Sequence, residues 1–352
     1  MSQLRSSIFR AGLEALYFSG AHHLLRPLFA GVGTIFMLHH VRPMRAEAFQ
    51  PNGHLEITPE FLRATLAHVR ELDVDIVSLD EMHRRLRERD FGRRFACFTF
   101  DDGYRDNRDF ALPAMREFGA PFTVYVASDF ASGTGRLWWL ALERLVAKAD
   151  VLDVPVDGTV RRLDCSTAAA KREAFAVMHG ILRGLPSDTD VNRMVSDLCR
   201  RHGLDDSQIA RELCMSWSEL KEFAADPLVT IGAHTLSHCN VAKCTSDTAE
   251  HEIAGSRGNI EAKLNRPVVH FAYPYGDKGA AAARDFALVR KLGFKTAVTT
   301  RPGMLFAENA EHMTALPRLS LNGNYQDERL LKVLTSGAAT AMWNGFRRVD
   351  AA

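Results

Sequence analysis

The residues best suited to chemistry begin with two adjacent carboxylates, Asp101 and Asp102, which end an apolar run at residues 95–100 and precede Gly103. The run predicts a buried strand of a parallel sheet. A buried carboxylate costs several kcal/mol unless it is paired with a cation or bound to a metal. Taken alone, the stretch is better explained as a turn that ends a strand and caps the next helix.

Two histidines four residues apart, His234 and His238, follow a second short apolar strand at residues 229–233. We expect them on one face of a helical turn, where both imidazoles can reach one ion. Two histidines and one aspartate would fill three ligand positions and leave others open for water and substrate. The glutamate of the zinc-protease helix motif is missing. The same ligand types suit iron, so a non-haem iron oxygenase stays open as an alternative.

A third stretch, Tyr273-Pro274-Tyr275-Gly276, follows a strand predicted at residues 268–272. The three stretches in this order resemble the signature of polysaccharide deacetylases, carbohydrate esterase family four. That family includes nodulation chitooligosaccharide deacetylases and deacetylases of biofilm poly-N-acetylglucosamine, and the resemblance covers residues 33–321. It implies a distorted (β/α) barrel that uses a divalent metal to remove acetyl groups from N- or O-acetylated sugars. An inactive sugar-binding protein of polysaccharide assembly is the competing interpretation.

The resemblance also implies roles for individual residues. Asp102, His234 and His238 would hold the metal, which we expect to be zinc, with cobalt and nickel as alternatives. Asp101 matches the general base. The backbone N–H of Tyr275 matches the donor that stabilises the oxyanion as charge develops on the acetyl oxygen.

The sequence departs from the common family pattern at two places. Many members have an arginine that orients the base, but Ala272 stands at that position. Arg318 in the last predicted strand could replace it from across the barrel, or could be a surface or helix-cap arginine. The late Leu-X-His motif is also missing, and Met37-Leu38-His39 fits the permuted order of the biofilm-type enzymes. We therefore expect His39 to be the general acid and His40 to point away.

Alternating apolar and amphipathic segments predict an α/β barrel at residues 33–131 and 221–321. Active sites of such barrels lie at the carboxyl ends of the strands, where these motifs fall. Between the two parts, residues 132–220 read as a mostly helical insertion that shapes the substrate groove. It opens with Trp138 and Trp139, which suit core packing or stacking on a sugar. Residues 1–32 and 322–352 are predicted to be helical, the latter segment peripheral.

Composition limits the partners. The 352 residues have a net charge of +1, so we expect no electrostatic field that would attract nucleic acid or an anionic membrane. The six cysteines have no close pairing, so we expect reduced thiols in the cytoplasm. Cys239 and Cys244, near His238, are typical of buried thiols, with metal ligation as the alternative. No signal peptide is recognised.

An amphipathic helix is expected at residues 7–20. It could pack on the barrel. The alternative is a surface anchor that places the protein on the inner face of the membrane.

Overall fold

The computed structural model describes residues 3–349 of the chain. Its strands are β1 (Gly33–Leu38), β2 (His40–Val41), β3 (Glu56–Ile57), β4 (Asp75–Ile76), β5 (Phe95–Phe100), β6 (Phe122–Val126), β7 (Val151–Val156), β8 (Thr159–Asp164), β9 (Val229–Ala233), β10 (His270–Ala272), β11 (Thr296–Pro302) and β12 (Leu316–Ser320). Its α-helices are α1 (Gln3–Phe18), α2 (Ala21–Phe29), α3 (Pro59–Glu71), α4 (Leu79–Glu88), α5 (Leu112–Glu117), α6 (Ser128–Ala131), α7 (Trp138–Lys148), α8 (Ala168–Gly184), α9 (Asp188–Arg201), α10 (Ile209–Leu213), α11 (Trp217–Phe223), α12 (Ser246–Leu264), α13 (Ala283–Lys291), α14 (Glu328–Thr335) and α15 (Ala338–Trp343).

Seven parallel strands close into a barrel in the order β1-β12-β11-β10-β9-β6-β5, and pairing of β5 with β1 completes the ring. The short strand β4 adds to the start of β5. Both β1 and β5 are buried along their whole length, as expected for parallel strands covered on both faces. The predicted fold class, an α/β barrel, is confirmed.

The barrel brings the motifs to one rim. Because all seven strands are parallel, their carboxyl ends meet at the same edge of the barrel. The strands β1, β5, β9 and β10 end one to three residues before His39, Asp101, His234 and Tyr275, respectively. Residues far apart in the sequence are thereby placed around one site.

The segment at residues 132–220 differs from the prediction in one respect. Besides helices it contains an antiparallel hairpin of β7 and β8, where a loop was expected. The two residues between these strands, Asp157 and Gly158, have φ of 48° and 76°. Positive φ at both central positions of a two-residue loop is typical of the type I′ hairpin turn, for which Asp-Gly is a preferred sequence. The helices around the hairpin bury a separate apolar core that includes Leu142, Met178 and Leu198.

The terminal helices pack together on the barrel. Leu13 of α1 is buried in the main core, and Phe9, Leu16 and Tyr17 pack against it. Helix α14 also belongs to this core, so the C-terminal segment is not peripheral as predicted. The predicted terminal segments extend to residues 1, 2 and 350–352, which lie outside the described residues. Within residues 3–349, no helix combines the length and apolarity needed to cross a bilayer.

Candidate metal centre and catalytic site

The Asp101 carboxylate is clamped by Arg318. The two guanidinium Nη atoms of Arg318 each donate a 2.7 Å hydrogen bond to a different oxygen of Asp101. Arg318 itself is buried inside the barrel, where its Nε donates to the carbonyl of Thr299 at 2.8 Å. It is therefore neither a surface nor a cap residue. Burial alone would raise the pKa of Asp101, but the charge of Arg318 outweighs it and holds that pKa below its ordinary value.

The neighbouring carboxylate, Asp102, faces two imidazoles instead of an arginine. Its Oδ1 lies 3.2 Å from Nε2 of His238 and 3.6 Å from Nε2 of His234. All three residues are buried, and one ligand atom from each lies within 4.8 Å of the others. Nevertheless Oδ1 has no hydrogen-bond partner in the described structure. A buried carboxylate oxygen facing ring nitrogens without a hydrogen bond is the arrangement expected around a cation.

The tautomer of His234 supports this interpretation. Its Nδ1 donates to the carbonyl oxygen of Ala272 at 2.7 Å, so in the neutral ring Nε2 carries the lone pair that faces Asp102. Burial lowers the pKa of His234 to about 4, which keeps the ring neutral and able to act as a ligand. Such a carbonyl partner on the remote nitrogen is the usual device that orients a metal-binding histidine.

The backbone of the histidine loop is irregular, which corrects the prediction of a helical turn. Thr235 and His238 have φ of 63° and 62°, in the left-handed region. Asp102 and Tyr275 share this conformation, with φ of 73° and 62°. Each non-glycine residue in such a conformation costs roughly 1–3 kcal/mol, and such residues cluster at functional sites. The two imidazoles thus converge through a bent loop and not through helical periodicity.

The two adjacent histidines at the end of β1 have different surroundings. Nε2 of His39 lies 3.9 Å from Oδ2 of Asp101, and its side chain is 18% exposed. Burial lowers the pKa of His39, while the carboxylates of Asp101 and Asp102 oppose that shift. His40 is buried, with Nδ1 2.6 Å from the carboxylate of Asp106. Of these two histidines, only His39 therefore faces the Asp101 carboxylate.

Tyr275 offers its backbone N–H to the same site. Among the described residues this N–H has no acceptor. The Tyr275 carbonyl accepts a hydrogen bond from the hydroxyl of Thr300 at 2.5 Å. The ring centroid of Tyr275 lies 5.1 Å from that of His238. A Cβ on the following residue, Gly276, would lie 2.6 Å from the backbone nitrogen of Thr300. Glycine is required there for the turn that fixes the orientation of Tyr275.

The comparisons with known proteins bear on the family and the fold. Residues 190–297 match the family model for polysaccharide deacetylase. The match contains His234, His238 and Tyr275 and begins after the two aspartates. The chain carries a polysaccharide deacetylase domain. The expected family is thereby confirmed, and with it the expected class of enzyme, a hydrolase of carbon–nitrogen bonds other than peptide bonds.

Solved structures confirm the fold of the deacetylase. The Streptococcus pyogenes deacetylase PplD in complex with acetate is 17% identical, with a TM-score of 0.57 over 86% of this chain and 97% of its own. The putative polysaccharide deacetylase BA0330 from Bacillus anthracis is 14% identical, with a TM-score of 0.54 over 85% of this chain and 67% of its own. IcaB from Ammonifex degensii is 15% identical, with a TM-score of 0.50 over 87% and 96%. A search of curated protein sequences gives no match.

The insertion contributes one aromatic ring, that of Trp139, to the surroundings of His238. Trp138 and Trp139 are both buried, which favours the packing interpretation over sugar stacking. The ring centroid of Trp139 lies 4.9 Å from that of His238. The two thiols near the site, Cys239 and Cys244, contact each other at 3.7 Å and lie outside the group formed by the aspartate and the two histidines.

Asp188, the first residue of α9, is a site residue that the sequence did not reveal. Its Oδ1 accepts a 3.1 Å hydrogen bond from the hydroxyl of Tyr275, and its Oδ2 accepts a 2.7 Å bond from the N–H of Asn240. The same hydroxyl accepts from Nε1 of Trp138 at 2.8 Å. Through Asp188, the insertion thus links the loop that carries His234 and His238 to the turn that carries Tyr275. In the sequence, Asp188 looks like an ordinary acidic residue in the first turn of a helix.

We expect Asp188→Asn to slow deacetylation about 10- to 100-fold, the usual cost of losing an outer partner of a metal site. An amide keeps the shape but replaces a charged acceptor, so the backbone N–H of Tyr275 should lose its fixed position. The turnover number should fall more than the Michaelis constant rises, with unchanged metal content. Asp190→Asn on the same helix is the matched control, because within the described structure Asp190 pairs only with Ser187 and Arg193. Equal losses in the two variants would contradict the positioning role.

Proposed function

We propose that this chain is a metal-dependent deacetylase that hydrolyses N-acetyl groups of an oligosaccharide or polysaccharide. The observation that carries the proposal is that two adjacent buried carboxylates have different surroundings. The Asp101 carboxylate forms a bidentate ion pair with Arg318. In the described structure, one oxygen of Asp102 instead faces His234 and His238 without a hydrogen-bond partner. Amide hydrolysis needs such a pair, one group to handle protons and the other to hold a cation.

The residues present fit a single divalent cation. Asp102, His234 and His238 would hold it, as one carboxylate and two neutral imidazoles, the ligand set expected for zinc, cobalt or nickel. When bound, such an ion polarises the acetyl carbonyl and lowers the pKa of water. Three protein ligands leave room for water and substrate.

Asp101 would act as the general base. Its carboxylate remains ionised because of Arg318 and can accept a proton from the attacking water. As the tetrahedral intermediate forms, the free N–H of Tyr275 would donate to the oxyanion.

His39 would protonate the leaving amine, since its Nε2 lies 3.9 Å from Oδ2 of Asp101 and its side chain is 18% exposed. Because burial lowers the pKa of His39, the proton it delivers would be the one that Asp101 has taken from water. We expect His39→Ala to reduce the rate about 10²- to 10⁴-fold with metal content unchanged, as for loss of a general acid. His40→Ala is the comparison, because that ring pairs with Asp106 and stacks on Tyr104. Its main effect should be lower thermal stability. A normal rate in His39→Ala, or an equal rate loss in His40→Ala with stability unchanged, would refute the assignment.

The substrate is proposed to be an N-acetylated glycan, such as a chitooligosaccharide or an exopolysaccharide. The test is to supply the purified chain with zinc, cobalt or nickel and a panel of N- and O-acetylated glycans. We expect equimolar acetate and free amine, with no oxygen consumed, and loss of both products after chelation. Binding of glycan without acetate release would favour the sugar-binding alternative. Oxygen consumption would favour the oxygenase.

A further inference from the structure

Large apolar side chains are exposed mainly on the helices near the two ends of the described chain. Seven of the ten exposed large hydrophobic residues in the described chain belong to α1, α2 and the C-terminal segment around α15. They are Ile8, Phe18, Leu24, Leu28, Met342, Trp343 and Phe346. These segments make up about a tenth of the described residues. Such a concentration is typical of an interaction surface and not of scattered surface residues.

Contacts between the three segments show that several of these residues share a surface, which we call the terminal face. Helices α1, α2 and α15 pack against one another. The ring centroids of Phe9 and Trp343 are 5.7 Å apart, and those of Phe29 and Phe346 are 5.6 Å apart. Leu24 and Leu28, four residues apart on α2, are 80% and 56% exposed. The apolar side of α1 predicted as an anchor packs on the barrel, so the terminal face is formed mainly by α2 and α15.

The charge of this region is positive. Residues 7–29 and 338–349 contain four arginines and one acid, Glu14. Glu14 already pairs with Arg10 at 3.3 Å. Arg26, Arg347 and Arg348 remain, and within residues 3–349 none of them has an ion-pair partner. An apolar face bordered by arginines and a tryptophan has the composition of a surface that lies in the interface of an anionic bilayer.

An open cleft of about 650 Å³ lies beside the terminal face. Its lining includes Phe18, His22, Arg26, His68, Glu71 and Lys332. In the described part of the chain, neither Arg26 nor Lys332 forms an ion pair. Glu71 is the acid of the lining, and its carboxylate lies 4.0 Å from His68. Two cations without partners can hold a phosphate group.

His22 supplies an independent indication that the cleft takes a ligand. Its side chain is 3% exposed, and its Nδ1 donates to the carbonyl oxygen of Leu16 at 3.0 Å. Its Nε2 is buried in the cleft wall and has no hydrogen-bond partner among the described residues. A buried polar atom of this kind normally has a partner. A headgroup bound in the cleft would provide one.

We propose that the terminal face docks the protein on a bilayer containing anionic phospholipids, with a lipid phosphate bound in the cleft. The apolar side chains of α2 and α15 would enter the interface, and Arg26 and Lys332 would hold the headgroup. This proposal does not rest on the deacetylase chemistry, since none of these residues contributes to the site of Asp101 and Asp102.

The test is co-sedimentation of the full chain with vesicles of phosphatidylcholine, alone or with about one third phosphatidylglycerol. We expect binding at least about tenfold tighter with the anionic lipid. Leu24→Glu/Leu28→Glu should weaken binding at least about tenfold, because two apolar side chains leave the interface. Arg26→Glu/Lys332→Glu should weaken it by roughly fivefold for each cation removed.

Val160→Glu is the matched control, because Val160 is 69% exposed but lies on the hairpin of the insertion. It should bind vesicles like the unaltered chain, and all these variants should deacetylate a soluble glycan at the same rate. Failure of the unaltered chain to bind anionic vesicles would overturn the proposal, as would undiminished binding by both double variants. Binding of inorganic phosphate without vesicle binding would also overturn it. The proposal would also be overturned if the unaltered chain did not bind vesicles but self-associated, and if Leu24→Glu/Leu28→Glu abolished that self-association.

Discussion

Asp101→Asn is expected to leave the metal bound while reducing deacetylation by up to about 10⁴-fold, the full contribution of a general base. The amide has nearly the same shape and can still accept a hydrogen bond from Arg318, but it cannot take a proton from water. Zinc content by elemental analysis and acetate release by a coupled assay are the two measurements. Metal should remain near one equivalent.

Asp102→Asn is the paired variant, because the two aspartates are adjacent and equally buried. Among the described residues Asp102 faces His234 and His238 and has no arginine partner, so its substitution should remove metal and activity together. If Asp101→Asn lost the metal while Asp102→Asn kept it, the two roles would be reversed. Thermal unfolding should accompany both measurements, since weakening a buried ion pair can also destabilise the fold.

The partnership of Asp101 with Arg318 shows what could be predicted from the sequence and what could not. The resemblance indicated that the base needs an arginine and that Ala272 cannot provide it. Whether the Arg318 side chain could reach Asp101 depended on the pairing of β12 with β1 and β11. That pairing sets how far along the barrel the guanidinium lies. Local patterns do not determine the register between strands that are more than 200 residues apart in sequence.

The histidine pair illustrates a second limit. That both imidazoles follow β9 was apparent from the apolar run before His234, and parallel strands then place them at the rim. Their convergence was attributed to helical spacing, but it results from left-handed backbone at Thr235 and His238. Such conformations are uncommon for residues other than glycine and are held by their surroundings, so the sequence of the loop does not predict them.

The insertion was expected from the break in the alternation of strands and helices, but its contacts with the site residues could not be predicted. The Asp157-Gly158 pair was a hairpin signal that the helical pattern around it obscured. Asp188 offered no signal, because its partners Tyr275 and Asn240 lie on loops after other barrel strands. Its effect on the site arises only once α9 is docked against those loops.

The second large effect is expected from His238→Ala, which should lower metal affinity by more than about 100-fold, beyond the usual cost of losing an outer partner. Deacetylation should fall with metal content at every concentration of added zinc. Stability provides a readout that does not depend on turnover. A ligand that binds only the folded state stabilises it by about 2.7 kcal/mol at 100 times its dissociation constant. Zinc should therefore raise the melting temperature of the unaltered chain but not that of His238→Ala.

Cys239→Ala is the control for this prediction, because the thiol is the next residue in the same loop and contacts Cys244 instead of Asp102. It should bind zinc and gain stability from it like the unaltered chain. The His238 ring packs against Phe130, Trp139 and Tyr275, so truncation will also leave a cavity and lower stability without metal. The difference in melting temperature with and without zinc separates that packing loss from the loss of a ligand. If zinc raised the melting temperature of His238→Ala as much as that of the unaltered chain, the metal would be held by other residues.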